Sequence, residues 1–327
     1  MARLSPLLLL PLLLNPLWAG EQDLLEFERF NFVFDNDTFV RTDRWYTLGC
    51  DLSFLYRLHD DPFALPFSNE QKSISYLALA LTMEMYTPEK FNDPNPQLDD
   101  RPYAGWLYGS FALHQSSAES LDSLELQLGL VGPSVKAGEI QKFVHDHIFG
   151  DPVNGWQNQL HNEFGINLAY HHHERYIVDT QQYEAVFIPR AGGVIGNVRT
   201  ELDLGVLYRI GIHIPRDFGQ NFVMMPGLDS AIPALERDGE RYGAPYGYYL
   251  QLQSDLRLIG RDIFLEGNSD GNSLSVDPYP LVGRVGGGFG GSYKNYQLSL
   301  IYTAESKSFT QQPHIHGYAS LFFSYAY

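Results

Sequence analysis

Ala319-Ser320-Leu321-Phe322-Phe323-Ser324-Tyr325-Ala326-Tyr327 closes the chain, with Ala319, Leu321, Phe323, Tyr325 and Tyr327 at alternate positions. A period of two is the period of a β-strand, whose successive side chains point to opposite faces. The same alternation recurs upstream. Phe30, Phe32 and Phe34 line one face of a segment at 26–38. Leu48, Cys50, Leu52, Phe54 and Tyr56 line one at 45–57, and Leu77, Leu79, Leu81, Met83 and Met85 one at 73–86. Further segments lie at 103–115, 119–131, 160–175, 182–197, 199–212, 243–256, 281–292, 294–306 and 315–327. That makes twelve strands, each near the 9–11 residues that cross a bilayer when tilted.

The opposite end of the chain sets the compartment. Met1 to Gly20 carries Arg3, an apolar run from Leu7 to Leu14 broken by Pro11, and the small pair Ala19-Gly20. This pattern predicts a cleaved secretory signal over 1–20, because the run is too short and too Pro-broken to span a membrane. Residues 21–327 then form one domain. With 21 Tyr, 21 Phe and 30 Gly and no later apolar 20-mer, the exported chain reads as all-β. The expected fold is a 12-stranded antiparallel transmembrane β-barrel in the bacterial outer membrane, a monomer with a short helix in an extracellular loop. The aromatic-ended closing strand resembles those that the barrel-assembly machinery reads. The single cysteine, Cys50, excludes a scaffold stapled by internal disulfides.

The formal net charge of −17, from 39 acidic and 22 basic residues, argues against nucleic acid as a partner, since that needs a basic face. It suits divalent cations and cation-bridged lipopolysaccharide, although solvated loops account for most of it.

An even strand count puts both termini on the periplasmic side. The connections after the first, third, fifth, seventh, ninth and eleventh strands are then extracellular. Two connections strain this rule, because 58–72 and 213–242 are long yet fall on the periplasmic side. The long 132–159 connection is external and holds a helix from Ser134 or Lys136 to Phe149, with Ala137, Ile140, Val144 and Ile148 apolar and Gly150 ending it.

Strand counting gathers three polar groups at one rim: Asn36-Asp37, Thr47, and the helix that carries Gln141 and His145. Gln141 and His145 are four residues apart and share a helix face. A histidine near carboxylates at a wet rim can act as a general base. Asp and carbonyl oxygens can hold calcium, which can polarise an ester carbonyl. Taken alone, Asn36-Asp37 is also an ordinary turn pair, and His145 a surface histidine. In His171-His172-His173 only the outer two share a strand face, which reads as a polar rim. Gly286 to Gly291 lies in a strand and bends the wall.

Asn36-Asp37, Tyr46-Thr47-Leu48-Gly49, Asp100-Arg101-Pro102-Tyr103-Ala104-Gly105-Trp106, Gly138-Glu139-x-Gln141-x-x-x-His145 and Gly155-Trp156-x-Asn158-Gln159 together resemble the lipid A 3′-O-deacylase family. The resemblance implies a twelve-stranded outer-membrane esterase that needs Ca2+ and removes the 3′-linked acyloxyacyl chain of lipid A in lipopolysaccharide. By the same resemblance His145 is the general base, Asn36 and Asp37 form the calcium and oxyanion end, and Thr47 and Gln141 flank them. Arg101 would meet lipid A phosphates. Asp151 stands where the family has a longer acid and would join Asp37 on the metal. The competing readings are an outer-membrane phospholipase, which would need a Ser–His pair, and an inert barrel such as a pore or structural protein.

Overall fold

The computed structural model describes residues 24–327 apart from 41–43, 61–62, 69–72, 150–151, 181, 221–229 and 236–244. The 1–20 signal and Asp151 lie outside the described residues. Among those described, the strands are β1 (Leu25–Asn36), β2 (Trp45–Leu58), β3 (Ile74–Thr87), β4 (Ala104–Ser116), β5 (Ser120–Val131) and β6 (Glu163–Glu174, resuming as Tyr176–Asp179). They continue as β7 (Glu184–Gly196), β8 (Arg199–Ile212), β9 (Tyr246–Asp262), β10 (Leu281–Tyr293), β11 (Tyr296–Glu305) and β12 (His316–Ala326). The break in β6 is Arg175, whose main-chain N–H donates to Glu119 O and whose guanidinium donates to Ala118 O. Each strand pairs antiparallel with its sequence neighbours, and β1 pairs with β12 from Arg29↔Ala326 to Asn36↔Ala319. The sheet is therefore a closed twelve-stranded meander, as expected from parity.

The wall is apolar outside and polar inside. On β9, Leu250, Leu252, Leu256 and Leu258 are 45–63 % exposed, whereas Gln251, Gln253, Asp255 and Arg257 are at most 7 % exposed. This inversion of a soluble protein's pattern is what a lipid-facing barrel requires. The Gly-rich β10 shows how the wall accommodates its contents. A Cβ on Gly290 would lie 2.4 Å from the Tyr249 ring, so glycine lets that inward tyrosine fit.

The inward charges pair with one another, Arg199 across the lumen and Arg257 and Arg284 with the adjacent strand. Arg199 Nη2 meets Glu84 Oε2 at 2.5 Å, Arg257 Nη2 meets Glu201 Oε2 at 2.7 Å, and Arg284 Nε meets Glu305 Oε2 at 2.5 Å. Charges buried this far need such partners, because an unpaired one would lose its hydration without return. At one end, Tyr46, Tyr86, Trp106, Phe264 and Tyr318 form a buried cluster capped by the one-turn α2 (Ile263–Glu266). At the end that holds the termini, Ile214, Phe218, Ile232 and Ala234 pack on Leu55, Tyr76 and Val186.

That second plug explains the two long connections. Leu65 N–H donates to Gln115 Oε1, Leu235 N–H to Ser117 O, and Ser116 Oγ to Pro233 O. The described parts of both segments fold back into the barrel mouth and add no strand, so the count of twelve stands among the described residues. With side chains filling both ends, the purified protein should give no steady porin-like conductance step in a planar bilayer. A stable open channel would contradict this packing.

Candidate active site

The helix expected over 134–149 forms as α1 (Ala137–Val144) and widens at once into a π turn, His145–Phe149. Such widened turns put a side chain where a regular helix would not. What α1 rests on locates the site. Leu48 pairs with Met85 across β2–β3, and Met85 pairs with Gly105 across β3–β4. Met85 packs with Val135, Ala137, Trp156, Leu48 and Leu107 in one apolar cluster. These wall residues alternate with the inward Tyr86, Glu84 and Trp106. The helix therefore lies against the outer face of the barrel, near the rim opposite the termini.

Gly105 makes the seat. A Cβ there would sit 2.6 Å from Ala137 Cβ and 3.2 Å from Val135 Cγ1. On the other side, Gly138 lets Trp156 approach, since a Cβ would fall 2.7 Å from its ring. Gly105→Val should lift α1 from the wall. A shift of about 1 Å can cost roughly a hundredfold in rate. The expected result is loss of activity in a barrel that still shows heat-modifiable gel mobility; full activity would mean that the contact is dispensable.

Thr47 reaches the same face through a β-bulge. The register slips between Tyr46↔Tyr86 and Leu48↔Met85, leaving Thr47 as the extra residue. Bulges re-aim side chains in this way. Thr47 Oγ1 lies 2.7 Å from Thr87 Oγ1. One hydroxyl donates to the other, which leaves one O–H of the pair as a donor. Just upstream, Trp45 takes a left-handed φ of 64°, with the Arg44 guanidinium 4.4 Å from its ring centroid. Strain of this kind gathers at functional turns.

Asn36 and Asp37 separate in role. Asn36 pairs with Leu48 at the last rung, so Asp37 stands one residue beyond, opposite the bulge. Asn36 Oδ1 accepts Thr38 N–H at 2.8 Å and closes the turn. Asp37 is fully buried, and its Oδ2 accepts Arg44 N–H at 2.7 Å. The Arg44 guanidinium pairs with Glu89, and Glu89 N–H donates to Asp100 Oδ2 at 2.7 Å. Burial pushes the Asp100 carboxyl above the usual range, opposed by the N–H groups of Glu89 and Arg101.

The helix residues are held from the 88–103 loop. His145 is only 5 % exposed, with the Phe91 ring at 5.3 Å between centroids. Phe91 packs against the cluster that contains Leu48 and Met83. Its carbonyl accepts from Asn154 N–H at 3.1 Å and Tyr103 OH at 2.9 Å. Gln141 Oε1 accepts Trp156 Nε1–H at 2.7 Å. The Gly155-Trp156-x-Asn158-Gln159 stretch thus fixes α1, with Asn158 Nδ2 and Gln157 Nε2 both donating to Pro94 O.

Asp37 and Thr47 thus flank the β1–β2 turn, and Gln141 and His145 lie on the helix seated on the cluster that includes Leu48; Arg44, Thr87, Trp156 and Phe91 respectively contact them. The sequence reading missed Arg44, Thr87 and Phe91; the quoted motifs contained Trp156 and Gly105. Arg101 is not brought to these residues. It is 3 % exposed with its guanidinium 4.2 Å from the Tyr86 ring centroid, on the inward side under α2.

Among the described residues, no three His, Cys, Asp or Glu side chains converge as a metal cage. A hard cation there would draw on the buried Asp37 carboxylate and on carbonyl oxygens, donors of the kind calcium takes. The outer side of α1 and its π turn is mixed, with Ile140, Phe143 and Ile148 exposed beside the charged Glu139 and Lys142. A buried imidazole, a hydroxyl pair and a buried carboxylate near one rim of the barrel are groups of the kinds that ester hydrolysis uses.

A family model described as outer membrane protein LpxR matches residues 7–327. Among solved structures, LpxR from Salmonella typhimurium superposes with a TM-score of 0.74 at 18 % identity, covering 91 % of this chain and 100 % of that one. At that identity the likeness is one of fold. The β domain of the Bordetella autotransporter BrkA gives a TM-score of 0.45 at 10 % identity, over 93 % of this chain and 100 % of that one. No curated protein matches.

Proposed function

The chain belongs to the family of the outer membrane protein LpxR, and from that premise we propose that it is an esterase that removes the 3′-linked acyloxyacyl chain of lipid A. The observation that carries this reading is the position of His145, buried beneath α1 on the outer face of the wall. A lipid substrate reaches that face without leaving the bilayer; a soluble substrate would be better served by the lumen or a loop.

The reaction follows from the side chains. The His145 imidazole takes a proton from water as its oxygen attacks the ester carbonyl carbon. The free O–H of the Thr47–Thr87 pair donates to the oxygen that becomes negative, a contact that strengthens as charge develops. The bond between the acyl carbon and the sugar 3′ oxygen then breaks. That oxygen takes the proton back from His145, and the fatty acid leaves. Gln141, locked to Trp156, and Phe91 fix the imidazole's approach.

Calcium, when bound, would polarise the carbonyl and share the oxyanion's charge. Asp37 would hold it with main-chain oxygens, and Asp151 is the second proposed ligand. Arg101, stacked on Tyr86 and buried, supports the rim more readily than it meets substrate phosphates.

Purified protein mixed with lipopolysaccharide should release fatty acid, and EGTA should stop the release until calcium is restored. Full activity in the chelator would remove calcium from the mechanism. Release from phospholipid but not from lipopolysaccharide would favour the phospholipase reading.

A further inference from the structure

At the mouth that holds the termini, a cavity of about 490 Å³ opens between the inner wall and the folded-in residues 213–217 and 233–235. Four cations line it: Arg29, Arg57, Arg216 and Lys294. Three acids share the lining, Glu28, Glu184 and Asp217. Two of these acids are already engaged. Glu184 holds Arg216 at 3.1 Å and accepts Ile214 N–H at 2.9 Å. Asp217 holds Arg209 at 2.7 Å and accepts Gly219 N–H at 2.9 Å. Arg29, Arg57 and Lys294 are then the lining cations that no described carboxylate holds.

Arg29 is the telling residue. It is 7 % exposed and sits on the inner face of β1, where its Nη1 donates to Ser324 Oγ at 3.0 Å. Among the described residues no carboxylate lies within salt-bridge distance of its guanidinium, and its Nε has no acceptor. Buried guanidinium groups are ordinarily paired with an anion, because an uncompensated one forfeits its hydration. Arg57 enters from the adjacent strand, where its neighbour Leu55 pairs with Arg29. Two guanidinium groups on adjacent strands suit the forked geometry of a carboxylate or phosphate.

We infer that this cavity binds a small polyanion, bearing carboxylate or phosphate groups, that enters from the side of the termini. In the exported barrel that side is the periplasm. The site lies at the opposite end from His145 and is independent of the hydrolytic chemistry.

Calorimetric titration of the full chain in detergent, in calcium-free buffer, tests it with pyrophosphate and citrate as separate probes. At least one should bind saturably, one per chain. Binding of pyrophosphate alone identifies a phosphate ligand; binding of citrate alone identifies a carboxylate. Arg57→Gln and Lys294→Gln should each weaken binding about tenfold, the usual scale of one charge-assisted contact. Arg57→Lys keeps the charge but loses the fork and should weaken binding less than Arg57→Gln does, and His145→Ala should bind as the wild type does. Lys294 lies in the short turn between β10 and β11, so Lys294→Gln keeps the test open should Arg57→Gln fail to insert. No saturable binding of either probe, or binding unchanged in Lys294→Gln and in every inserted Arg57→Gln protein, overturns the inference.

Discussion

His145→Ala is expected to abolish fatty acid release from lipid A while the barrel stays inserted and heat-modifiable. A positioned general base contributes about 10²–10⁴-fold, and His145 is the buried imidazole of the α1 π turn, in ring contact with Phe91. The fold should survive for a structural reason. His145 sits where α1 ends, outside the strand ladders that close the wall. Its ring meets Phe91, so truncation leaves a small gap beneath a surface helix and not a hole in the barrel. Release of fatty acid from the variant at the wild-type rate, measured by mass spectrometry, would remove His145 from the mechanism.

Asp37→Asn should produce the second large loss. The amide oxygen can still accept Arg44 N–H, so the turn that Asp37 closes is kept. What goes is the negative charge. Substitutions in the outer shell of a metal site typically cost about 10–100-fold, so loss of a direct ligand should reach about a hundredfold or more. The loss should shrink as calcium is raised, because the defect is one of affinity. A purely structural role predicts otherwise, with activity near that of the wild type or a loss that calcium does not relieve. Rates measured across a calcium series in both proteins separate the two.

The architecture was legible because two simple regularities held. The alternation from Ala319 to Tyr327 is the register of β12, whose inner face carries Tyr318, Ser320, Phe322 and Ser324. Parity put the Asn36, Thr47 and His145 segments at one rim, and the closed meander keeps them there. The two long connections strained parity only because sequence periodicity does not show that a segment folds back into a mouth. Their contacts to Gln115, Ser116 and Ser117 are long-range.

The rim that carries the candidate residues was legible, but not their side of the wall. Period two assigns Thr47 to the face opposite Leu48. The bulge overrides that, and a bulge depends on the partner strand. The burial of Arg101 escaped notice for a similar reason. Its partner, Tyr86, turns inward on another strand, and nothing local marks an arginine that stacks under a cap. His171 and His173 point inward as alternation requires, but they are buried in the lumen and not on an open rim; His171 Nε2 meets Asp203 Oδ2 at 3.0 Å.

The most direct test of lipid hydrolysis at this rim is the mass of lipid A from cells that express the chain. Cells carrying the wild type should yield lipid A lighter by the 3′-linked acyloxyacyl chain, and cells carrying His145→Ala should yield the parent mass. Unchanged lipid A from cells whose outer membrane holds the folded wild-type barrel would contradict it.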